Sequence, residues 1–217
     1  MIHIVFLASG NGGNMKFFHQ SILDDLITGV RLTVIADREC GSIYYADNNN
    51  IQNYVINYQR SATLELSTTL QKVEPDIIVT NWHKIIDKNT VANYSGRLVN
   101  LHYSLLPVFG GLIGIEPIQR AYSKGCKFIG PTCHLVDEEV DSGTILAQAV
   151  FPIIIPLEKS IDLMFRKGCL VLLNGIEIIL GTNLARHRSI SGGMYSPRLT
   201  FNESVFDEAF WQKVALA

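Results

Sequence analysis

In the run Val99-Asn100-Leu101-His102-Tyr103-Ser104-Leu105-Leu106-Pro107 an apolar stretch delivers an amide and an imidazole two residues apart. If the stretch is a strand, period-two alternation puts Asn100 and His102 on one face. Downstream, His134-Leu135-Val136-Asp137-Glu138-Glu139-Val140-Asp141-Ser142-Gly143 sets four carboxylates in a loop that could bring one acid to His102. An amide that donates to an oxyanion, a histidine that carries a proton and a carboxylate that fixes the histidine are the parts of an acyl-transfer site. No Ser or Cys stands in a nucleophile-elbow context, so direct transfer fits better than a covalent intermediate. Each residue alone has a plainer reading as a hydrogen-bonded histidine, a turn cap or a solvated acidic loop. Their combination points to catalysis.

A second candidate is Ser9-Gly10-Asn11-Gly12-Gly13-Asn14, between an apolar run and a stretch of helical spacing. In an open parallel sheet, ligands bind at that kind of position. Glycines let the backbone approach an anion, and the free amides of a helix N-terminus favour negative charge. The loop lacks the Lys of a triphosphatase P-loop and the full Gly-x-Gly-x-x-Gly spacing. A phosphate cradle and a plain tight turn are equally good readings of this loop alone.

The elements that must position these residues follow from periodicity. Strand candidates are Ile2–Ala8, Leu32–Ala36, Tyr54–Asn57, Ile77–Thr80, Leu98–Leu101, Gly130–Val136 and Ile145–Ile154, with helical spacing over Met15–Leu26 and Ser61–Val73. Strands alternating with helices over the first half predict a mostly parallel sheet covered on both faces. Residues 127–136 and 144–154, joined by the acidic segment, predict an antiparallel pair that ends the sheet. A long helix over Ser160–Leu180 should pack across it. Asn48-Asn49-Asn50 and Ser191-Gly192-Gly193 read as breaks.

With 217 residues, the chain can bury one substantial core. Lys and Arg number 18 against 20 Asp and Glu, with no basic face, which disfavours a nucleic-acid partner. The N-terminus lacks a secretory pattern, and Pro156, Asn174 and Glu177 interrupt the later apolar runs, so a membrane partner is disfavoured too. The four cysteines show no Cys-x-x-Cys spacing, which predicts reduced thiols in a cytoplasmic protein and no zinc or other metal site.

The glycine loop, then Gly96–Pro107, then His134–Gly143 resemble, in that order, glycinamide ribonucleotide formyltransferase and the wider 10-formyltetrahydrofolate-dependent formyltransferases. The likeness covers roughly the first three-quarters of the chain. It implies an α/β, Rossmann-like formyltransferase fold with a catalytic domain over 1–184; the tail over 185–217 departs from the family's usual ending, and its aromatic residues predict an extension packed on the same domain. It also implies transfer of a formyl group from the cosubstrate 10-formyltetrahydrofolate to a primary amine on a phosphorylated acceptor, first of all glycinamide ribonucleotide in purine biosynthesis. Asn100, His102 and Asp141 match the catalytic positions. Lys84, Ile85 and Ile86, with Val136, Asp137 and Glu138, match the folate-facing positions, and Asn11, Gly12 and Gly13 match those for the acceptor phosphate.

Departures bear on the acceptor. Tyr103 replaces a Pro, Trp82-His83-Lys84 replaces Phe-Met-Arg, and Gly111–Glu116 lacks a His-x-His. Gly168-Cys169-Leu170 stands where the resemblance places a ribose-binding Glu, and Arg166 and Lys167 nearby could meet an extra phosphate. A nucleotide-linked amino sugar is therefore the alternative acceptor, and a non-catalytic folate or nucleotide sensor the remoter alternative. A formate-releasing hydrolase would resemble a longer chain with an added N-terminal domain, whereas here the catalytic domain is expected to begin at residue 1. The expected assembly is a monomer or homodimer.

Overall fold

The apolar N-terminal run forms β1 (Ile2–Ala8), buried from His3 onward, as a strand covered on both faces must be. A computed structural model describes residues 1–190 and 193–216. After β1 come α1 (Gly13–Leu23), β2 (Val30–Ala36), α2 (Gly41–Asn48), β3 (Gln52–Val55), α3 (Leu64–Val73), β4 (Ile77–Asn81), α4 (Lys88–Asn93) and β5 (Leu98–His102). They are followed by α5 (Glu116–Ser123), β6 (Phe128–Ile129), β7 (Thr132–Leu135), β8 (Ile145–Ala149), β9 (Phe151–Pro152), α6 (Leu157–Leu180), β10 (Tyr195–Ser196) and α7 (Glu208–Leu216). These elements form two compact units: Met1–Val99 with Leu184–Arg186 and Phe206–Ala217, and Asn100–Asn183 with His187–Val205.

The first unit is a parallel sheet in the order β3-β2-β1-β4-β5 with connecting helices. Ile4 pairs with Leu32 on one side and Ile77 on the other, so β1 is its central strand. Late segments complete the unit: the Thr28 amide donates to the Leu184 carbonyl at 3.0 Å and the Arg186 amide to that of Leu26 at 2.9 Å. Phe17, fully buried on α1, has ring centroids 5.3 Å from Phe206, 5.7 Å from Phe210 and 5.5 Å from Trp211. Aromatic burial of this kind dominates local packing energy. Phe17→Ala should cost about 3–5 kcal/mol in a denaturant titration, because the cavity would strip three rings of their common partner.

In the second unit the end of β5 is followed in the sheet order by β7, β8 and β10. β7 and β8 are antiparallel, with Thr132 opposite Gln148 and Cys133 opposite Ala147. The helix α6 packs across them: a Cβ on Gly175 would lie 2.5 Å from Cys133 Sγ and 3.7 Å from Leu146 Cβ. Two features correct the predicted antiparallel pair. It splits, with β6 and β9 forming a separate two-stranded sheet. Pro131 carries no amide for the ladder, and Gly130 lies so close to the Ala149 carbonyl that a side chain there would overlap it. Nor does the pair end the sheet, because β10 adds antiparallel to β8, Tyr195 against Ala149. The buried Tyr195 is locked there by Lys167, which donates to the Tyr195 hydroxyl at 2.7 Å and to Glu203 Oε2 at 2.8 Å. The ammonium suggested for an extra phosphate is thus committed to the tail. Of the Ser191-Gly192-Gly193 break, residues 191 and 192 lie outside the described residues.

Candidate active site

The second unit brings Asn100, His102 and Asp141 together. Alternation along β5 turns Asn100 and His102 to the same face, and the loop after β7 carries Asp141 to both. Asp141 Oδ2 is 3.3 Å from His102 Nδ1, and Asp141 Oδ1 is 3.5 Å from Asn100 Nδ2. His102 Nε2 lies 3.0 Å from the Phe109 carbonyl. Each imidazole nitrogen of His102 therefore faces an acceptor, and both contacts are hydrogen bonds when the ring carries two protons.

His134, on β7, joins the cluster as a fourth member whose role sequence reasoning missed. Its Nδ1 lies 2.8 Å from the Leu135 carbonyl and donates to it. In the neutral ring the Nε2 lone pair then receives the Asn100 amide at 3.2 Å. His134 Nε2 is also 3.5 Å from Asp141 Oδ1. The signal was a histidine inside an apolar strand run: at 2% exposure it is almost fully withdrawn from water and needs polar partners.

Backbone geometry aims these groups. The ladder slips between Cys133 and His134, a bulge that re-aims the following side chains. Asp141 itself has φ 56°, in the left-handed region, and Gly111 donates its amide to Asp141 Oδ2 at 2.8 Å. Burial acts most strongly on the Asp141 carboxyl and raises its pKa. The hydrogen bond that His134 makes when its ring carries two protons, the Gly111 amide and the positive charges that His102 and His134 then bear outweigh it and hold the group below its ordinary value.

The other predicted residues divide between the units. In the first, Asn11, Gly12 and Gly13 form the turn into α1, with Gly12 at φ 69° and no side-chain cap on the helix. A Cβ on Gly12 would stand 2.5 Å from Ser42 Oγ, and Ser42 donates its hydroxyl to the Gly10 carbonyl at 2.6 Å. Lys84, Ile85 and Ile86 follow β4, with Ile85 exposed and Ile86 buried. Tyr58, unmarked in the sequence reading, props this segment. Its hydroxyl donates to the Ile85 carbonyl at 3.1 Å and accepts the Asp87 amide at 2.8 Å, while its ring stacks on Trp82 at 4.8 Å. Burial pushes its phenol up to about 12. In the second unit Val136 is half-buried and Asp137 and Glu138 are exposed.

Two departures prove to be one packing solution. A Cβ on Gly168 would lie 3.0 Å from Leu101 Cδ2 and 3.1 Å from Tyr103 Cε1, so the Tyr103 ring fills the space that a side chain on α6 would take. Cys169 and Leu170 are buried. Burial, and next the Cys169 thiol, push the Tyr103 hydroxyl far above its ordinary pKa.

The arrangement has relatives. The family described as formyl transferase matches residues 2–167. The chloroplastic phosphoribosylglycinamide formyltransferase of Vigna unguiculata is 33% identical over 162 residues, covering 70% of this chain and 51% of the relative. The phosphoribosylglycinamide formyltransferase of Mycobacterium tuberculosis is 31% identical over 160 residues, covering 70% and 71%. Among solved structures, glycinamide ribonucleotide transformylase 1 from Geobacillus kaustophilus superposes with a TM-score of 0.74 at 26% identity, covering 83% of this chain and 100% of that one. The chain thus spans about half the length of the plant relative, and more of the bacterial ones. The family match extends from β1 into α6 and includes Asn100, His102, His134 and Asp141, and by it the chain belongs to the formyl transferase family.

Proposed function

We propose that the chain is an N-formyltransferase that moves a formyl group from 10-formyltetrahydrofolate to the primary amine of glycinamide ribonucleotide, a step of purine biosynthesis. The observation that carries this reading is the position of His102, between the Asp141 carboxylate and the Phe109 carbonyl and two residues from Asn100. The folate supplies the formyl carbon as an electrophile. As the acceptor amine bonds to that carbon, charge builds on the formyl oxygen, and the Asn100 amide would donate to it. Collapse breaks the carbon–nitrogen bond to the folate. His102 would carry the proton that the amine gives up toward the departing folate nitrogen. Asp141 would hold His102 in orientation and stabilise its positive charge, and His134 would hold Asn100.

Lys84, Ile85 and Ile86 and, from the acidic loop, Val136, Asp137 and Glu138 are assigned to the folate. The flat heterocycle suits the isoleucines, and backbone groups suit its polar edge. Asn11, Gly12 and Gly13 are assigned to the acceptor phosphate. Gly12→Ala adds a side chain at positive φ against Ser42. It should raise the KM for the phosphorylated acceptor by on the order of 10-fold with kcat little changed. A change confined to folate binding in the same steady-state kinetics would contradict the assignment. Among the described residues no helix is long and apolar enough to cross a membrane. A cytoplasmic monomer or homodimer belongs to the proposal.

Tyr103 against Gly168 favours a second acceptor class. With no carboxylate at 168–170 to receive a ribose diol, a nucleotide-linked amino sugar is the alternative. Formyl transfer read by absorbance of the folate product, with glycinamide ribonucleotide and a panel of such sugars, separates the two. Turnover with the ribonucleotide upholds the proposal, turnover with a sugar only reassigns the acceptor, and turnover with neither removes it.

A further inference from the structure

The roles assigned above leave Phe109-Gly110-Gly111 unexplained, although this short loop touches the catalytic pair twice and with opposite polarity. Its first residue turns a carbonyl to His102 Nε2 at 3.0 Å, and its last turns an amide to Asp141 Oδ2 at 2.8 Å. The same Oδ2 is 3.3 Å from His102 Nδ1, so carbonyl, imidazole, carboxylate and amide close a ring of contacts. We infer that residues 109–111 are a backbone clamp on the His102–Asp141 pair, with Phe109 and Gly111 as positioning residues that act through main-chain atoms. This inference rests on the formyl-transfer reading.

The loop's conformation is unusual in the way such a device requires. Phe109 adopts φ 60°, a left-handed conformation costly for a bulky residue. It is held there because its ring packs against the buried cluster of Ile118, Ile129, Phe151 and Met164, and because Ser104 donates its hydroxyl to the Val108 carbonyl. Gly111 adopts φ 79°, yet a Cβ built on it meets nothing within 4 Å. Space does not require glycine at 111; the direction of its amide does. Gly114, in the same exposed loop, also has positive φ, 61°, and open space around it, but no hydrogen bond to the pair. It is a matched control.

The groups facing Asp141 are Asn100 and His102 from β5, His134 from β7 and the Gly111 amide. The amide favours the ionised carboxylate, so losing it raises the pKa of Asp141. Activity should then fail at a higher pH on the acid side. Gly111→Ala, assayed across pH in the full chain, is expected to lower kcat on the order of 10-fold, leave both KM values nearly unchanged and move the acid limb of the kcat profile upward. Gly111→Asn, which tolerates positive φ, should recover most of the loss. Gly114→Ala should leave kcat and the pH profile where they were. An unmoved kcat and acid limb in Gly111→Ala, while Asp141→Asn abolishes turnover, overturns the clamp alone. An equal loss in Gly114→Ala also overturns it. Full turnover in Asp141→Asn overturns the clamp together with the formyl-transfer reading beneath it.

Discussion

Asn100→Ala should lower kcat for formyl transfer by about 100- to 1,000-fold, the scale on which a lost oxyanion donor is felt. Folate binding should change little, because the residues assigned to the folate lie elsewhere in the chain. Asn100 also anchors the cluster: its Nδ2 lies 3.2 Å from His134 Nε2 and 3.5 Å from Asp141 Oδ1. Truncation strands a buried imidazole lone pair, so some loss of stability should accompany the loss of rate. Comparing Asn100→Ala with His134→Ala separates the two effects. If the amide acts on the oxyanion, the asparagine variant falls further in kcat at comparable melting temperature. Unchanged turnover in Asn100→Ala would remove Asn100 from the mechanism.

The second large effect is expected at Gly143. A side chain there would overlap the Leu135 carbonyl, the oxygen that accepts His134 Nδ1 and thereby fixes which nitrogen of His134 faces Asn100. The Leu135 amide meanwhile donates to the Thr144 carbonyl at 2.9 Å, so the strands on either side cannot part without losing a ladder bond. Gly143→Ala should therefore cost about 2–3 kcal/mol of stability through overpacking. It should also lower kcat on the order of 100-fold, since a shift of about 1 Å in a catalytic group has that reach. Thermal unfolding and kcat measured on the same preparation check both numbers. A variant with native stability and native rate would show that the loop carrying Asp141 tolerates displacement.

Much of this architecture was legible in the residues. Ile2–Ala8 stands as read because an unbroken apolar run bounded by a glycine loop has few other solutions, and alternation correctly placed Asn100 and His102 on one strand face. The helix α2 escaped notice because its eight residues are short and begin with Gly41, leaving little helical periodicity to detect. α4, α5 and α7 were likewise too brief. β10 escaped because a strand of two residues has no period, and its placement depends on Tyr195 meeting Glu203 and the sequence-distant Lys167. In the candidate site the three side chains with recognisable chemistry could be picked out. The Phe109 carbonyl and the Gly111 amide could not, since main-chain contributions leave no residue type to read.

The central claim is that the cluster transfers a formyl group rather than hydrolysing its donor or merely binding it. The most direct test is to supply 10-formyltetrahydrofolate carrying a carbon-13 formyl label together with glycinamide ribonucleotide, and to follow the label by NMR. The label should appear in the N-formyl amide of the ribonucleotide, and His102→Ala should abolish that signal. Label released as formate at the same rate with and without acceptor, or label remaining on the folate in the wild-type protein, would contradict the account.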